Sequence, residues 1–242
     1  MTKPAEFADR VFISRDEDTA DFGRRVLEHV DGRKNLRVLD IGCGSGKLLF
    51  WLADKIGQGY FTGIDISQPN IDMARRTAEN AAGKNRFDFI CGDYGRWEPG
   101  KYDVIVARST LQHIEDRPEA LFGKIISTLL EGGILVYSMP YECFYNSLCY
   151  SFRRILRVFR GPVLDCALLS ASKAFHGQDR DEDFLKQRLF YLYTLPRHTD
   201  GESLRGHLRR LGLKWIAEYP EAHRSPGQPK HKTAVFRKES AS

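Results

Sequence analysis

From Leu36 onward, short apolar runs rich in β-branched residues alternate with longer segments of helical periodicity. Parallel neighbouring strands need a long crossover connection, so a strand, a helix and another strand in sequence favour a parallel unit. Repetition of this unit predicts an α/β fold, a doubly wound and mostly parallel sheet with helices on both faces. We expect strands over Leu36–Ile41, Tyr60–Asp65, Phe87–Cys91, Tyr102–Ala107, Ile134–Met139, Leu213–Tyr219 and Thr233–Arg237.

Helical patterns lie between several of these strands. A proline in the first turn is compatible with a helix, and a glycine pair is a common stop signal. Near the C-terminal end, Thr199 or Asp200 is a suitable helix cap. The predicted helices span Gly46–Ile56, Gln68–Ala81, Pro118–Leu130, which would stop at Gly132-Gly133, and Thr199–Leu211.

The segment Tyr141–His198 interrupts the alternation with nearly sixty mostly helical residues, where a sheet protein normally has a short connection. We expect a helical insertion, or lid, over 141–198, with 1–140 and 199–242 forming the main domain. Within the insertion, Phe144–Arg160 carries apolar residues at helical spacing beside four arginines. This pattern fits a solvated amphipathic helix, or a surface for an anionic membrane, RNA or an acidic partner.

Composition excludes several classes of protein. The 242 residues carry a formal charge of +5, too small to demand an anionic partner, and no apolar run approaches the ~20 residues of a membrane helix. Met1–Arg15 has no apolar signal-peptide core, so we expect a cytoplasmic protein. Five cysteines without a C-x-x-C pair argue against a disulfide framework and a zinc site. No feature indicates an oligomeric state.

Glycines cluster at the junction between the first strand and its helix. Without side chains, Gly42, Gly44 and Gly46 allow a sharp bend and a close approach of the backbone to a ligand. The spacing disfavours a dinucleotide fingerprint, because Lys47 stands where the third glycine would be. A phosphate-binding P-loop is also disfavoured, because Leu48 replaces the required Ser or Thr.

An acidic residue, Asp65, ends the second predicted strand. In a parallel sheet, this carboxylate lies beside the glycine loop at the carboxyl edge, where it can accept hydrogen bonds from ribose hydroxyls. The two features together predict a site for a ribose-bearing cofactor without a pyrophosphate.

These motifs, in this order, resemble the class I S-adenosylmethionine-dependent methyltransferases. The similarity extends over about Leu36–Met139 and resumes around Thr199–Arg237. It implies a Rossmann-like seven-stranded sheet whose last strand, here Thr233–Arg237, is antiparallel. The matching segments are Asp40–Gly46, Gly63–Ser67, Cys91–Tyr94 and Tyr102–Ile114.

The resemblance also implies roles for individual residues. Asp40 would orient the methionine amino group of S-adenosylmethionine through the loop of Gly42, Cys43, Gly44 and Gly46. At the nucleoside end, the resemblance implies that Asp65 binds the ribose, Ile66 flanks the adenine, and Asp93 accepts from its amino group beside Tyr94. Arg108 or Ser109 would present main-chain atoms to the methionine end.

A histidine follows the fourth predicted strand. The segment Leu111–Asp116 is similar to one found in quinone and natural-product methyltransferases, and it places His113 where a general base would act on a hydroxyl acceptor. The alternative is a histidine that packs the loop. Ala107 and Arg108 occupy the place of metal ligands in metal-assisted relatives, so we expect no metal. No Asn/Asp-Pro-Pro-Tyr motif follows the strand, which disfavours DNA adenine methylation.

The acceptor is expected to bind in the insertion, whose aromatic residues suit an apolar or aromatic pocket. The leading hypothesis is methyl transfer to an O or N atom of a small lipid-like, aromatic or natural-product acceptor. Peripheral membrane contact through helix 144–160 would accompany a lipid-like acceptor. The alternatives are a tRNA-modifying methyltransferase, suggested by a modest basic excess over Arg205–Lys238, and a noncatalytic S-adenosylmethionine-binding scaffold. Met1–Asp31 is expected to form a helix over the cofactor, with Phe12 and Arg15 as candidates for contact.

Overall fold

The computed structural model describes residues 15–30, 32–81, 85–176, 189–222 and 227–239. Phe12 lies outside these residues, and the predicted N-terminal helix is described from its second half onward. The helices are α1 (Asp16–Leu27), α2 (Lys47–Ile56), α3 (Gln68–Asn80), α4 (Pro118–Thr128), α5 (Phe144–Val158), α6 (Pro162–His176) and α7 (Glu202–Arg210). The strands are β1 (Leu36–Ile41), β2 (Gly59–Asp65), β3 (Arg86–Cys91), β4 (Tyr102–Arg108), β5 (Leu129–Pro140), β6 (Leu213–Pro220) and β7 (His231–Lys238).

The strands form one sheet in the order β3-β2-β1-β4-β5-β7-β6. Only β7 runs antiparallel, and it pairs with both β5 and β6. The predicted doubly wound, mostly parallel sheet with an antiparallel last strand is therefore confirmed. The chain order reverses between β1 and β4, so a crevice opens at their carboxyl ends, where ligands bind in open α/β sheets.

Alternate residues along each strand face opposite layers of helices. Val38, Val104 and Val106 pack toward α1, α2 and α3, whereas Leu39 and Ile105 pack toward α4 and α7. The central strands are buried on both faces, which explains their nearly continuous apolar sequence. No helix among the described residues combines the length and the apolar character that crossing a membrane would require.

The predicted end of α4 is wrong. The helix ends at Thr128, and Leu129 already pairs with Tyr102 in the sheet, so Gly132 and Gly133 lie inside β5. The pairing of β4 with β5 shifts register between Tyr102 and Val104. The glycine pair thus accompanies an irregularity of a long strand, as glycine in a strand often does.

The predicted cap of α7 is also wrong. The helix begins at Glu202 after Gly201, and no side chain caps it. The Asp200 carboxylate is buried and instead accepts from Arg205 Nε at 3.0 Å, with Lys232 Nζ 3.5 Å away. Two cations compete for this carboxylate more strongly than the helix N-terminus does.

The chain leaves the sheet after Pro140 and returns beside the same point. The Asp200 N–H donates to the carbonyl of Pro140 at 2.8 Å, and the Glu142 N–H donates to the carbonyl of Asp200 at 3.0 Å. Helices α5 and α6 lie between these two crossings. Most apolar side chains of α5 are exposed, whereas Arg153, one of its arginines, is buried.

Candidate active site

The loop after β1 bends at its glycines. Gly42 and Gly46 have φ angles of +77° and +78°, in the left-handed region that favours glycine. The backbone N–H groups of Gly42 and Cys43 both donate to the carbonyl of Ile64, at 2.7 and 3.1 Å. Two strand ends therefore hold the loop in place, with its remaining backbone facing the crevice.

Asp65, at the end of β2, is fixed by two backbone donors. Its Oδ2 accepts from the Gly44 N–H at 2.8 Å, and its Oδ1 accepts from the Ser67 N–H at 2.8 Å. Burial raises the pKa of Asp65, while these two hydrogen bonds oppose the rise. Each carboxylate oxygen can accept more than one hydrogen bond, so the side chain can accept from a ligand as well.

Asp40, the next acidic group of the site, is buried on β1. Burial raises the pKa of Asp40 to about 7; Arg108 opposes this rise and Asp65 adds to it. A carboxyl group of this kind gains charge readily when a cation binds beside it. Burial likewise raises the pKa of the neighbouring Cys43 thiol, which is therefore neutral.

The chain after β3 forms the next part of the wall. Asp93 Oδ1 accepts from the Gly95 N–H at 2.9 Å, and its other oxygen lies 3.8 Å from Arg96 Nε. Tyr94 is buried, with its ring next to Trp97 and beneath the Lys124 ammonium. Asp93 thus has a local capping contact beside the role that the resemblance implies.

One cavity of about 660 Å³ joins these features. Nearly all residues predicted from the sequence line it: Asp40, Gly42, Cys43, Gly44, Asp65, Ile66, Asp93, Tyr94, Arg108 and His113. Gly46 lies behind the lining, at the start of α2, with Phe89 packed against its Cα. Arg15, on the N-terminal side of α1, also lines the cavity.

A second group of polar residues lies at the other end of the cavity. His113 closes the short 3-10 turn after β4, and burial lowers its pKa to about 4, helped by His231, Arg153 and Arg197. His231 Nδ1 lies 3.3 Å from Ser109 Oγ, and burial lowers its pKa to about 4 as well. Both histidines are neutral at pH 7 and able to accept a proton.

Sequence reasoning missed several lining residues. His231 lies at the first position of β7, two residues before the strand predicted there, and an antiparallel strand begins at the edge where its parallel neighbours end. The antiparallel direction of this strand could therefore have indicated that His231 lies at the ligand-binding edge of the sheet. Arg153 of α5 and Phe22 of α1 gave no such signal, because helical spacing does not show which face turns inward. Tyr150, by contrast, is one of the aromatic residues of the insertion that were expected to line a pocket. Among the described residues, no three His, Cys, Asp or Glu side chains converge as a metal site requires, and metal independence stays a prediction.

Comparison with known proteins identifies the family to which the chain belongs. A family model described as a methyltransferase domain matches residues 32–183, more than half of the chain. Protein-lysine N-methyltransferase EFM4 of Saccharomyces cerevisiae is 35% identical over 94 residues, 38% of this chain and 41% of that protein. Trans-aconitate 2-methyltransferase of Streptomyces avermitilis is 34% identical over 113 residues, 45% of this chain and 40% of that protein. The matches therefore span about two fifths of the length of these relatives.

Solved structures share the fold over most of the chain. The crystal structure of magnesium protoporphyrin IX methyltransferase from Synechocystis PCC 6803 with bound S-adenosylhomocysteine (SAH) superposes on this chain with a TM-score of 0.58. The alignment covers 92% of this chain and 82% of that chain at 16% identity, a likeness of fold. The family match, the sheet order and the glycine loop beside Asp65 agree. The chain belongs to the methyltransferase domain family and has the class I methyltransferase fold.

Proposed function

We propose that this enzyme transfers a methyl group to an O or N atom of a small, largely apolar or aromatic acceptor. The observation that carries the proposal is the continuity of one cavity from Asp65 to His113. Its Asp65 end suits a ribose-bearing cofactor, and its His113 end offers neutral bases beside aromatic side chains. The cofactor and the acceptor would therefore lie end to end in one cavity, as in-line displacement requires.

The cofactor end fits S-adenosylmethionine by the chemistry of its groups. When bound, this cofactor supplies a methyl group on a sulfonium, a carbon already activated for displacement. Asp65 would accept from the ribose hydroxyls, and the buried Asp40 would balance the methionine ammonium, helped by the backbone of the glycine loop. Ile66 and Tyr94 would bound the adenine, Asp93 would accept from its amino group, and Arg108 would lie near the methionine end.

Residues between 141 and 198 contribute part of the acceptor end. Tyr150 of α5, together with Tyr191, Thr194 and Pro196, lines the cavity there. We propose that this part of the chain is the acceptor-binding insertion, since the chain leaves the sheet at Pro140 and returns beside it at Asp200. Its aromatic lining supports an acceptor with an apolar body.

We expect His113 to act as the general base when the acceptor is a hydroxyl. His113→Gln should lower kcat by about 100-fold or more, the usual contribution of a positioned base. Because the pKa of His113 is lowered to about 4, its protonation should remove activity only toward that pH. The measurement is a pH–rate profile with an acceptor found by screening extracts with the labelled donor.

His207→Gln is the matched control, because His207 lies on α7 and outside the cavity lining. It should leave kcat and the profile unchanged. Equal turnover of wild type and His113→Gln at saturating acceptor would contradict a catalytic His113 and leave it a packing residue.

The outer face of α5 supports a proposal about where the enzyme works. Phe144 and Phe159 are 85% and 70% exposed, and Leu148, Phe152 and Ile155 are each more than half exposed. No acidic residue occurs between positions 144 and 160, whereas Arg154 and Arg160 are exposed beside this apolar face. Apolar exposure beside unbalanced positive charge fits the surface of an anionic bilayer.

We expect the protein to float with vesicles of phosphatidylcholine and phosphatidylglycerol, and much less with phosphatidylcholine alone. Phe152→Glu should weaken binding by about tenfold or more, because it places a charge in the inserted face. Trp215→Glu, at an exposed aromatic residue of β6, is the matched control and should bind like the wild type. Equal binding to both vesicles, or a dimer in light scattering that Phe152→Glu dissociates, would contradict membrane docking.

A further inference from the structure

Arg153 of α5 is a buried cation at the acceptor end of the cavity. It is only 6% exposed, although arginine side chains are rarely buried without a partner. It lines the cavity, and α5 carries it inward while the flanking Arg154 stays exposed. Two adjacent arginines on one helix therefore lie in opposite environments.

The hydrogen bonds of Arg153 are incomplete. Its Nη1 donates to the carbonyl of Thr194 and its Nη2 to the carbonyl of Gly227, both at 3.1 Å. Its Nε is buried and has no hydrogen-bond partner. Both contacts are to neutral carbonyls, so they orient the guanidinium without balancing its charge.

In the part of the chain that the structure describes, no carboxylate pairs with Arg153. The ionisable groups that act on its charge are Tyr150, Cys149 and Tyr145, side chains that are ordinarily neutral at pH 7. The two carboxylates that line this side of the cavity are engaged elsewhere. Glu115 pairs with Arg197, and Glu221 accepts from Thr233 Oγ1 at 2.9 Å.

A purely structural role does not account for this arrangement. Removing a cation from water without a counter-ion is costly, and a neutral amide could donate to the same two carbonyls. The structure therefore holds a charge and an unsatisfied donor ready at the cavity wall. Such a group is stabilised when an anion binds.

We propose that Arg153 binds a carboxylate group of the acceptor and so positions the acceptor's reacting atom near His113. This inference rests on the proposed function and specifies its substrate class, an acceptor with an apolar body and one carboxylate. The planar guanidinium matches the planar carboxylate. A single charge is the better match, because His113 and His231 are neutral and would not balance a second one.

The test uses the full chain with saturating SAH and three acid and amide pairs as probes: phenylacetate and phenylacetamide, benzoate and benzamide, octanoate and octanamide. Binding is measured by thermal shift and calorimetry. At least one acid should bind wild type about tenfold or more tightly than its amide, as a charge-assisted contact predicts. Arg153→Met should lose this preference, and the matched control Arg154→Met should keep it.

A spectroscopic readout separates charge recognition from damage to the fold. Arg153 lowers the pKa of both cavity histidines, so Arg153→Met should raise the pKa values of His113 and His231 in NMR titrations. If Arg153→Met does not fold, Arg153→Lys decides, because it keeps the charge and loses the planar fork. Its acid preference should fall about fivefold or more.

Two results would overturn the inference directly: wild type that does not prefer any acid over its amide, or Arg153→Met that keeps the preference of wild type. If Arg153→Met is unfolded, a folded Arg153→Lys that keeps the full preference for the acid would overturn it. Phenyl phosphate is included as a further probe, and tighter binding of it than of every carboxylate would also overturn the proposed class. Failure of SAH to bind wild type is a separate outcome, which would count against the proposed function. Normal SAH binding without an acid preference would remove this inference alone.

Discussion

Asp40→Asn is expected to stabilise the free protein above pH 7 while abolishing measurable binding of S-adenosylmethionine. Burial raises the pKa of Asp40 from an ordinary 3.8 to about 7. Between these two values the folded state holds a proton that the unfolded state has released, so the contribution of Asp40 to stability falls as pH rises. Above pH 7 both states are ionised, and the cost of a buried charge is fully present.

The size of this cost sets the expected result. A difference of about three pKa units corresponds to roughly 4 kcal/mol, an upper value because relaxation of the free protein around the charge would reduce it. The melting temperature of Asp40→Asn should therefore exceed that of wild type at pH 8, and the difference should shrink toward pH 5. The same substitution removes the negative charge that we assign to the methionine ammonium, so calorimetry should show binding lost.

Asp88→Asn is the matched control, because Asp88 is an exposed carboxylate of β3. It should change neither the pH dependence of the melting temperature nor cofactor binding. A melting difference between Asp40→Asn and wild type that does not change from pH 5 to pH 8 would contradict the assignment of the buried charge. Unchanged cofactor binding would contradict the role of Asp40 in the site.

Gly42→Ala is expected to destabilise the fold and to prevent cofactor binding. The φ angle of +77° is strained for alanine, and a Cβ at this position would lie 2.1 Å from Thr110 Oγ1. Left-handed strain costs about 1–2 kcal/mol and overpacking about 1–3 kcal/mol, so unfolding should require about 2–5 kcal/mol less. The loop would also move away from Asp65, whose Oδ2 accepts from Gly44.

Gly212→Ala separates the two causes. Gly212, which follows α7, has a similar φ of +83°, but a Cβ there would contact nothing within 4 Å. Chemical denaturation of both variants should therefore show a smaller loss for Gly212→Ala, with normal cofactor binding. Equal losses of stability would mean that the contact with Thr110 contributes nothing, and normal binding by Gly42→Ala would contradict the loop's role.

Much of the cofactor end could be predicted from sequence because strand topology determines it. A glycine loop after β1 and an acid at the end of β2 must meet when adjacent parallel strands end at one edge. The bounds of β1 were correct for a similar reason, since Leu36–Ile41 is a buried run between clear turns. In this region the sequence pattern and the contacts between strands favour the same structure.

The acceptor end could not be predicted, because tertiary contacts decide it. The spacing of α5 is amphipathic, yet the buried side includes Arg153 and the outer side is largely apolar. The end of α4 was missed because Leu129 gains more by pairing with Tyr102 than by extending a helix. Asp200 stands at the position in the sequence where a helix cap is expected, but in the fold its carboxylate lies beside Arg205 and Lys232 and pairs with them.

The most direct test of the central claim is calorimetric titration of S-adenosylmethionine and SAH into wild type, Asp65→Ala and Asp88→Ala, with melting curves for each. We predict binding to wild type and to Asp88→Ala, and loss of binding in a folded Asp65→Ala, because Asp65, unlike Asp88, accepts from the glycine loop and lines the cavity. Equal affinity of wild type and Asp65→Ala would contradict the account, since the ribose would then be held elsewhere.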